Sequence, residues 1–505
     1  METSLVTIEN YIEKTWQTLT RTTADLVEAA SDPKLEGEAP LLYIAPTQDR
    51  SQVEESLKEA GKSVELRVLP ADILSQPNFP GPHGLLYLPH SYIVPGGRFN
   101  EMYGWDSYFI NLGLLIQDRV DEARKMVDNH LYQVRHYGCV LNANRTYYLT
   151  RSQPPFLATM VRDVYRRTRD LRWLSEAFEG LESTYLFWMT EPHLTPETGL
   201  SRYIDLGSGP APEVLASERD EEGLTHYQRI AKEYGRVVTE GPETEACLGY
   251  DIDLFYDRGS MALKPLFYIG DRSMRESGFD PSDRFGRFNV DVIHYNPVDL
   301  NSLLYLFEQD MAEISQELGF PESQVARWTQ AADSRRVAMQ TYLWNSRSEM
   351  FEDYNFLTQK RRAYPFATAY FPLWTGWATQ QQADSLAAHL KDFLKPGGLV
   401  TSLNVSGNQW DKPFGWAPLQ LVAAEGLQKY GYEAEAKEIA KRFLGMVESE
   451  YQRTGTILEK YDVEARSSSV SEDIQFGYSS NEVGFGWTNG VYLALKERIL
   501  GRQSQ

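Results

Sequence analysis

From about residue 100 onward, apolar positions recur at helical spacing, and the helices they predict come in pairs. The stretch 105–118 (WDSYFINLGLLIQD) is apolar nearly all round. The stretch 121–134 places Ala123, Met126, Val127, Leu131 and Val134 on one face only. Further helices are expected at 153–170, 172–189, 223–234, 297–318, 322–344, 380–394, 414–430, 432–449 and 485–499. In the pair 414–430 and 432–449, WAPLQLVAAEGL has no wet face, whereas AEAKEIAKRFLGMVESE has one. Buried helices alternating with half-exposed ones imply an inner ring inside an outer ring. The expected fold is therefore mainly α, an (α/α)6 toroid whose loops at one end line a funnel. No clean sequence repeat accompanies the alternation.

The first 90 residues read differently. Residues 8–30 are expected to form one amphipathic helix and 35–40 a loop. Residues 41–46, 51–62 and 64–70 then alternate as strand, helix and strand. The expected division is 1–90 for this helix and small α/β appendage, and 91–500 for the barrel. A Pro- and Gly-rich stretch, 75–98, leads from one to the other.

Composition narrows the function. The 505 residues include 30 Tyr, 22 Phe and 11 Trp, which require a packed core. With 50 Lys+Arg against 71 Asp+Glu, the net charge is −21, a poor host for nucleic acid or an anionic membrane. No apolar run is long enough to span a bilayer. The first residues lack the basic and apolar regions of a signal peptide, so a cytoplasmic location is expected. Cys139 and Cys247 make no disulfide framework, and no zinc, nucleotide or serine-hydrolase motif is present. No metal and no cofactor is expected.

What stands out is carboxylates and aromatics together in polar, Gly-rich loops. An aromatic ring covers the apolar face of a pyranose while a carboxylate accepts its hydroxyl protons. PGGRFNEMYGWDSYF (95–109) brings Arg98, Phe99, Tyr103, Trp105 and Asp106 together. Trp105 and Asp106 read equally as a core residue and a first-turn acid. LNANRTYYLTRSQPP (141–155) offers Asn142, Asn144, Arg145, Arg151 and Gln153, planar groups suited to hydroxyls. In RESGFDPSDRFG (275–286), Gly278 permits a sharp turn and Asp280 lies between Phe279 and Pro281. Desolvation there suits a general acid, although the same residues make an ordinary turn. GNQWDKPFGWAP (407–418) carries Trp410 and Asp411, and ILEKYD (457–462) carries Glu459, which a neighbouring lysine could pair at a surface. Two carboxylates in separate aromatic loops permit acid–base glycoside hydrolysis.

These stretches resemble the trehalase family, glycoside hydrolase family 37. PVDLNSLLY (297–305), GGLVTSL (397–403) and GFGWTNG (484–490) add further matching blocks in the same order, over roughly 90–495. The resemblance implies an (α/α)6 barrel and an inverting, cofactor-free hydrolase of a small glucoside. Asp280 would be the general acid and Glu459 the general base. Arg98, Phe99, Tyr103, Trp105, Asp106, Asn142, Arg151 and Gln153 would line the glucosyl subsite. The Gly278 backbone would lie close to the sugar, and Trp410 and Asp411 would help wall the pocket.

Two departures from the family pattern bear on specificity. Where the family has Arg-Pro-Glu, GSGPAPEV (207–214) has Ala211 and keeps Glu213 as the substrate-binding acid. Where a glycine-rich lid ends in Glu-Tyr, 464–483 has one glycine; the expected Glu falls on Tyr478, with Glu482 nearby as a partial substitute. A lost arginine bond costs roughly 1.5–3 kcal/mol, about ten- to a hundred-fold. This favours a smaller leaving group, so the sequence is closest to the glucosylglycerol-hydrolysing members. Trehalose hydrolysis is the alternative, and a non-catalytic sugar-binding protein is a third reading. Bell-shaped pH dependence is expected, with Glu459 ionised and Asp280 protonated.

Overall fold

The computed structural model describes residues 7–32, 40–59, 64–214, 219–469 and 481–501. The chain is mostly helical, and its helices close into a double ring. The inner helices are α3 (Asp106–Ile116), α5 (Leu157–Thr168), α9 (Val298–Glu317), α11 (Phe371–Thr375), α13 (Ala417–Lys429) and α15 (Gly486–Ala494). Each packs on the next, and α15 returns to α3. Outside them lie α4 (Val120–Tyr137), α6 (Leu171–Trp188), α10 (Glu322–Tyr342), α12 (Gln380–Phe393), α14 (Glu433–Thr454) and the first helix, α1 (Ile8–Leu19).

Burial follows the predicted alternation. Every residue of α15 is buried, whereas α10 buries Trp328, Ala332, Arg335 and Met339 and wets the rest. The ring closes through two glycines. A Cβ on Gly490 would meet the Phe109 carbonyl at 1.9 Å, and one on Gly113 would meet Gly490 at 2.9 Å and the Trp16 ring of α1 at 2.8 Å. Small residues at this crossing let α3 and α15 approach backbone to backbone.

The appendage has the expected strand, helix and strand, and its strands pair in parallel. Strand β1 (Leu41–Ile44) pairs with β2 (Glu65–Val68) across helix α2 (Arg50–Glu59), and with β3 (Leu85–Leu86) on its other edge. All four β1 residues are buried, as a central strand requires.

Three expectations need correction. The helix expected over 8–30 ends at Leu19, and Thr20–Arg21 pairs with Tyr92–Ile93 instead. The run Thr18 to Thr23 is rich in β-branched residues, which favour extended backbone. The stretch 414–416 is a strand, β4 (Phe414–Trp416), pairing antiparallel with β5 (Lys460–Asp462), and the helix begins only at Ala417. Between α6 and α9 the chain makes an excursion holding helices α7 (His226–Glu240) and α8 (Pro265–Glu276) over a core of its own. Helix α8 was not anticipated; Gly270 in its middle obscured the pattern.

Candidate active site

One end of the ring opens into a cavity of about 590 Å³. Loop 95–105 leads into α3, and loop 141–153 leads into α5. The two are stitched together: Gly104 N donates to the Asn142 carbonyl at 3.1 Å, and Trp105 N to Gln153 Oε1 at 3.0 Å. This brings Arg98, Phe99, Tyr103, Trp105, Asp106, Asn142, Arg151 and Gln153 onto the cavity wall. Asn144 and Arg145 from the same loop are not there. Asn144 bonds Met102 N and the Leu86 carbonyl, and Arg145 pairs with Glu101 and caps carbonyls of Ala29 and Ala30. They tie the N-terminal segment to the barrel.

The floor is aromatic. Trp410 and Trp416 stack at 4.0 Å, and Trp487 stands perpendicular to Trp105 and Trp416. Phe279 packs edge-on to Trp105 and Trp410. Gly278 takes φ +77°, which turns the chain between α8 and Phe279 and delivers Asp280 to the cavity.

Glu459 reaches the same cavity by another route. The register Trp416↔Lys460 sets the residue before β5 beside the tryptophan cluster. Asn481 Oδ1 accepts from the backbone N–H groups of Glu459 and Lys460, each at 3.1 Å. The buried Lys460 donates to Gln409 Oε1 at 2.9 Å, and Gln409 Nε2 donates to the Asp280 carbonyl at 2.6 Å. One glutamine thus spans the two carboxylate loops. Burial lowers the Lys460 pKa to about 8.

Electrostatics separate the carboxyls. Burial raises the Asp280 pKa to about 6, against the pull of Arg275 and Arg151. Asp106 opens α3, where a helix N-terminus favours an anion. Burial, then Glu459 and Asp280 nearby, nevertheless push it up to about 8. Glu213 goes the other way: Arg151 and Arg275 overcome its burial and hold it at about 2. Arg151 is clamped by Asp205 at 2.8 Å and by Glu213, leaving Nη2 buried and without a partner among the described residues.

Asp411 is not on the cavity wall. It is fully buried and accepts from Ser402, Ser406, Tyr364 and the backbone N–H of Asp283, at 2.5 to 3.0 Å. It braces the Trp410 loop from behind. Ala211 is also buried and does not itself line the cavity, although Glu213 two residues on does; its N–H donates to the Tyr227 hydroxyl. Glu482 pairs with Arg98 at 3.1 Å, and Tyr478 lies outside the described residues. Sequence reading did not pick out His226, Arg229, Asp271 and Arg275, which line the cavity from α7 and α8. No motif marks them, and only Arg275 borders one, at the start of RESGFDPSDRFG. Among the described residues, no group of three His, Cys, Asp or Glu side chains could hold a metal ion. No helix there is long and apolar enough to cross a membrane.

A twin-ring barrel with two carboxylates in an aromatic cavity defines a glycosidase fold and site. Residues 2–499 match the trehalase family, and the chain belongs to it. The cytosolic neutral trehalase of Emericella nidulans is 36% identical over 82% of this chain, which spans only 58% of that relative's length. That of Saccharomyces cerevisiae is 33% identical over 95% of this chain and 69% of its own. Among solved structures, neutral trehalase Nth1 from Saccharomyces cerevisiae superposes with a TM-score of 0.78 and 31% identity, covering 97% of this chain and 93% of that one. A mannosylglycerate hydrolase from Thermus thermophilus shares the fold at a TM-score of 0.53 and 17% identity, over 80% of this chain and 96% of that one.

Proposed function

We propose that this chain hydrolyses α,α-trehalose to two glucose molecules, with inversion, in the cytoplasm. The observation that carries the reading is the pair Asp280 and Glu459 on one cavity, in a chain whose relatives bear the name cytosolic neutral trehalase. One glucosyl unit stacks on the tryptophan floor and is held by Arg98, Asn142, Arg151 and Gln153. Asp280, whose pKa burial raises to about 6, gives its proton to the glycosidic oxygen. Glu459 takes a proton from a water on the other side of the sugar, and that water's oxygen bonds to the anomeric carbon as the glycosidic bond breaks. The products are one β-glucose and one α-glucose. Asp280 ends ionised and Glu459 protonated, and exchange with solvent restores both. This chemistry uses protons only and calls for no metal.

The sequence pointed first to glucosylglycerol, on the strength of Ala211. Ala211 carries less weight once α7 and α8 supply Arg229 and Arg275 to the cavity, because the cavity then keeps cationic donors that position 211 lacks. A comparison of kcat/KM for trehalose and glucosylglycerol tests the choice. Trehalose is expected to be the better substrate; preference for glucosylglycerol would return the reading to a small polyol leaving group. Loss of turnover in Asp280→Asn and Glu459→Gln separates an enzyme from a sugar-binding protein.

A further inference from the structure

In an inverting reaction the base stands on the side of the sugar opposite the leaving group, and the acid stands beside the departing oxygen. Asp280 lies four residues past the end of α8, and α8 and α7 supply Met274, Arg275, His226 and Arg229 to the cavity wall around it. Along that wall most charged side chains are paired, although Arg151 Nη2 and Glu213 Oε2 are buried without a partner among the described residues. Arg275 pairs with Asp271 at 3.3 Å and reaches Glu213 at 4.0 Å. Glu213 is engaged by Arg151. Asp271 also accepts from the Tyr227 hydroxyl at 2.9 Å.

Arg229 is different. It lines the cavity, yet its Nε is buried with no hydrogen-bond partner among the described residues. An arginine is rarely left so, because an unmet buried donor costs about 1–3 kcal/mol. Its place is fixed rather than incidental. Thr225 and Gln228 form a reciprocal cap that sets the first turn of α7, and this puts His226 and Arg229 three residues apart on one face. His226 lies on the same wall.

We propose that Arg229 is a specificity-determining residue that holds the hydroxyls of the leaving glucose, doing from α7 what the family's arginine at the Ala211 position does from its loop. This rests on the trehalase reading above. Planar N–H donors at Nε and Nη suit vicinal sugar hydroxyls. The unpartnered Nε marks the atom that gains a bond on binding.

The test compares α,α-trehalose with α-glucosyl fluoride, whose fluoride leaving group has no hydroxyls for Arg229 to hold. Arg229→Ala and Arg229→Lys are assayed on both, with Ala211→Arg added to Arg229→Ala. Arg229→Ala should lower kcat/KM for trehalose by about 10- to 100-fold and leave the fluoride rate nearly unchanged. The fluoride rate also reports that the variant is folded. Arg229→Lys, lacking the planar fork, should recover little, and the added Ala211→Arg should recover part. An unchanged ratio of the two rates in Arg229→Ala, or an equal fall in both, overturns the assignment while the trehalase reading stands. Wild-type cleavage of the fluoride without cleavage of trehalose overturns both together.

Discussion

Replacing Gly278 with alanine should injure both stability and rate. At φ +77° an L-residue is left-handed, which costs roughly 1–2 kcal/mol. The new Cβ would also stand 2.9 Å from two ring carbons of Trp105. That ring cannot swing away, because Phe279, Trp487 and Trp410 surround it with ring centroids at 5.4, 5.5 and 6.0 Å. Overpacking of this kind costs about 1–3 kcal/mol. Together the expected loss is on the order of 2–5 kcal/mol. The strain relaxes through the two elements that carry Asp106 and Asp280, so both site carboxyls shift. Misplacement by about 1 Å costs about 10²-fold in rate. Urea unfolding followed by tryptophan fluorescence, with kcat/KM on trehalose, measures both. A variant within about 0.5 kcal/mol of wild type, the scatter of neutral substitutions, and with an unchanged rate would refute the reasoning.

Further outcomes follow from the same geometry. Asp280→Asn and Glu459→Gln should each lower kcat by about 10²–10⁴-fold, as measured by glucose release, while the folded state persists by circular dichroism. The proposed acid, Asp280, must be protonated to act, so kcat/KM should fall as pH rises through its pKa of about 6. Arg275→Met removes a cation that holds that pKa down, so the alkaline limb should move up by about one unit or more; a stationary limb would count against Asp280 as the acid. Asp411→Ala takes the acceptor from four donors, the buried Ser402 and the partly buried Ser406, Tyr364 and Asp283 N–H, and should cost about 1–3 kcal/mol in urea unfolding, with KM little altered in the protein that remains folded. EDTA should leave turnover unchanged.

The ring was legible because inner and outer helices differ in how many faces they bury, and this difference is written in the sequence of each helix. Helix α11 escaped notice because five residues carry too little periodicity. The break at Thr20 depends on pairing with Tyr92–Ile93, a contact that local pattern does not contain. The carboxylate loops were legible for another reason: each packs Gly, Trp and an acid into a few residues. Trp410 and Asp411 stand side by side, and their sequence could not say that one faces the cavity and the other faces away. Arg229 and His226 were hidden for the opposite reason. They lie on an amphipathic helix, where a polar face reads as solvated, and only the return of α8 against α7 makes that face part of a cavity.

The stereochemistry of the first turnovers tests the central claim most directly. Proton NMR of α,α-trehalose with the purified chain, read before mutarotation, reports the anomers as they form. Inversion by the Asp280 and Glu459 pair predicts equal α- and β-glucose, one from each half of the disaccharide. Release of α-glucose alone would mean retention, and the acid–base pair assigned here would be contradicted.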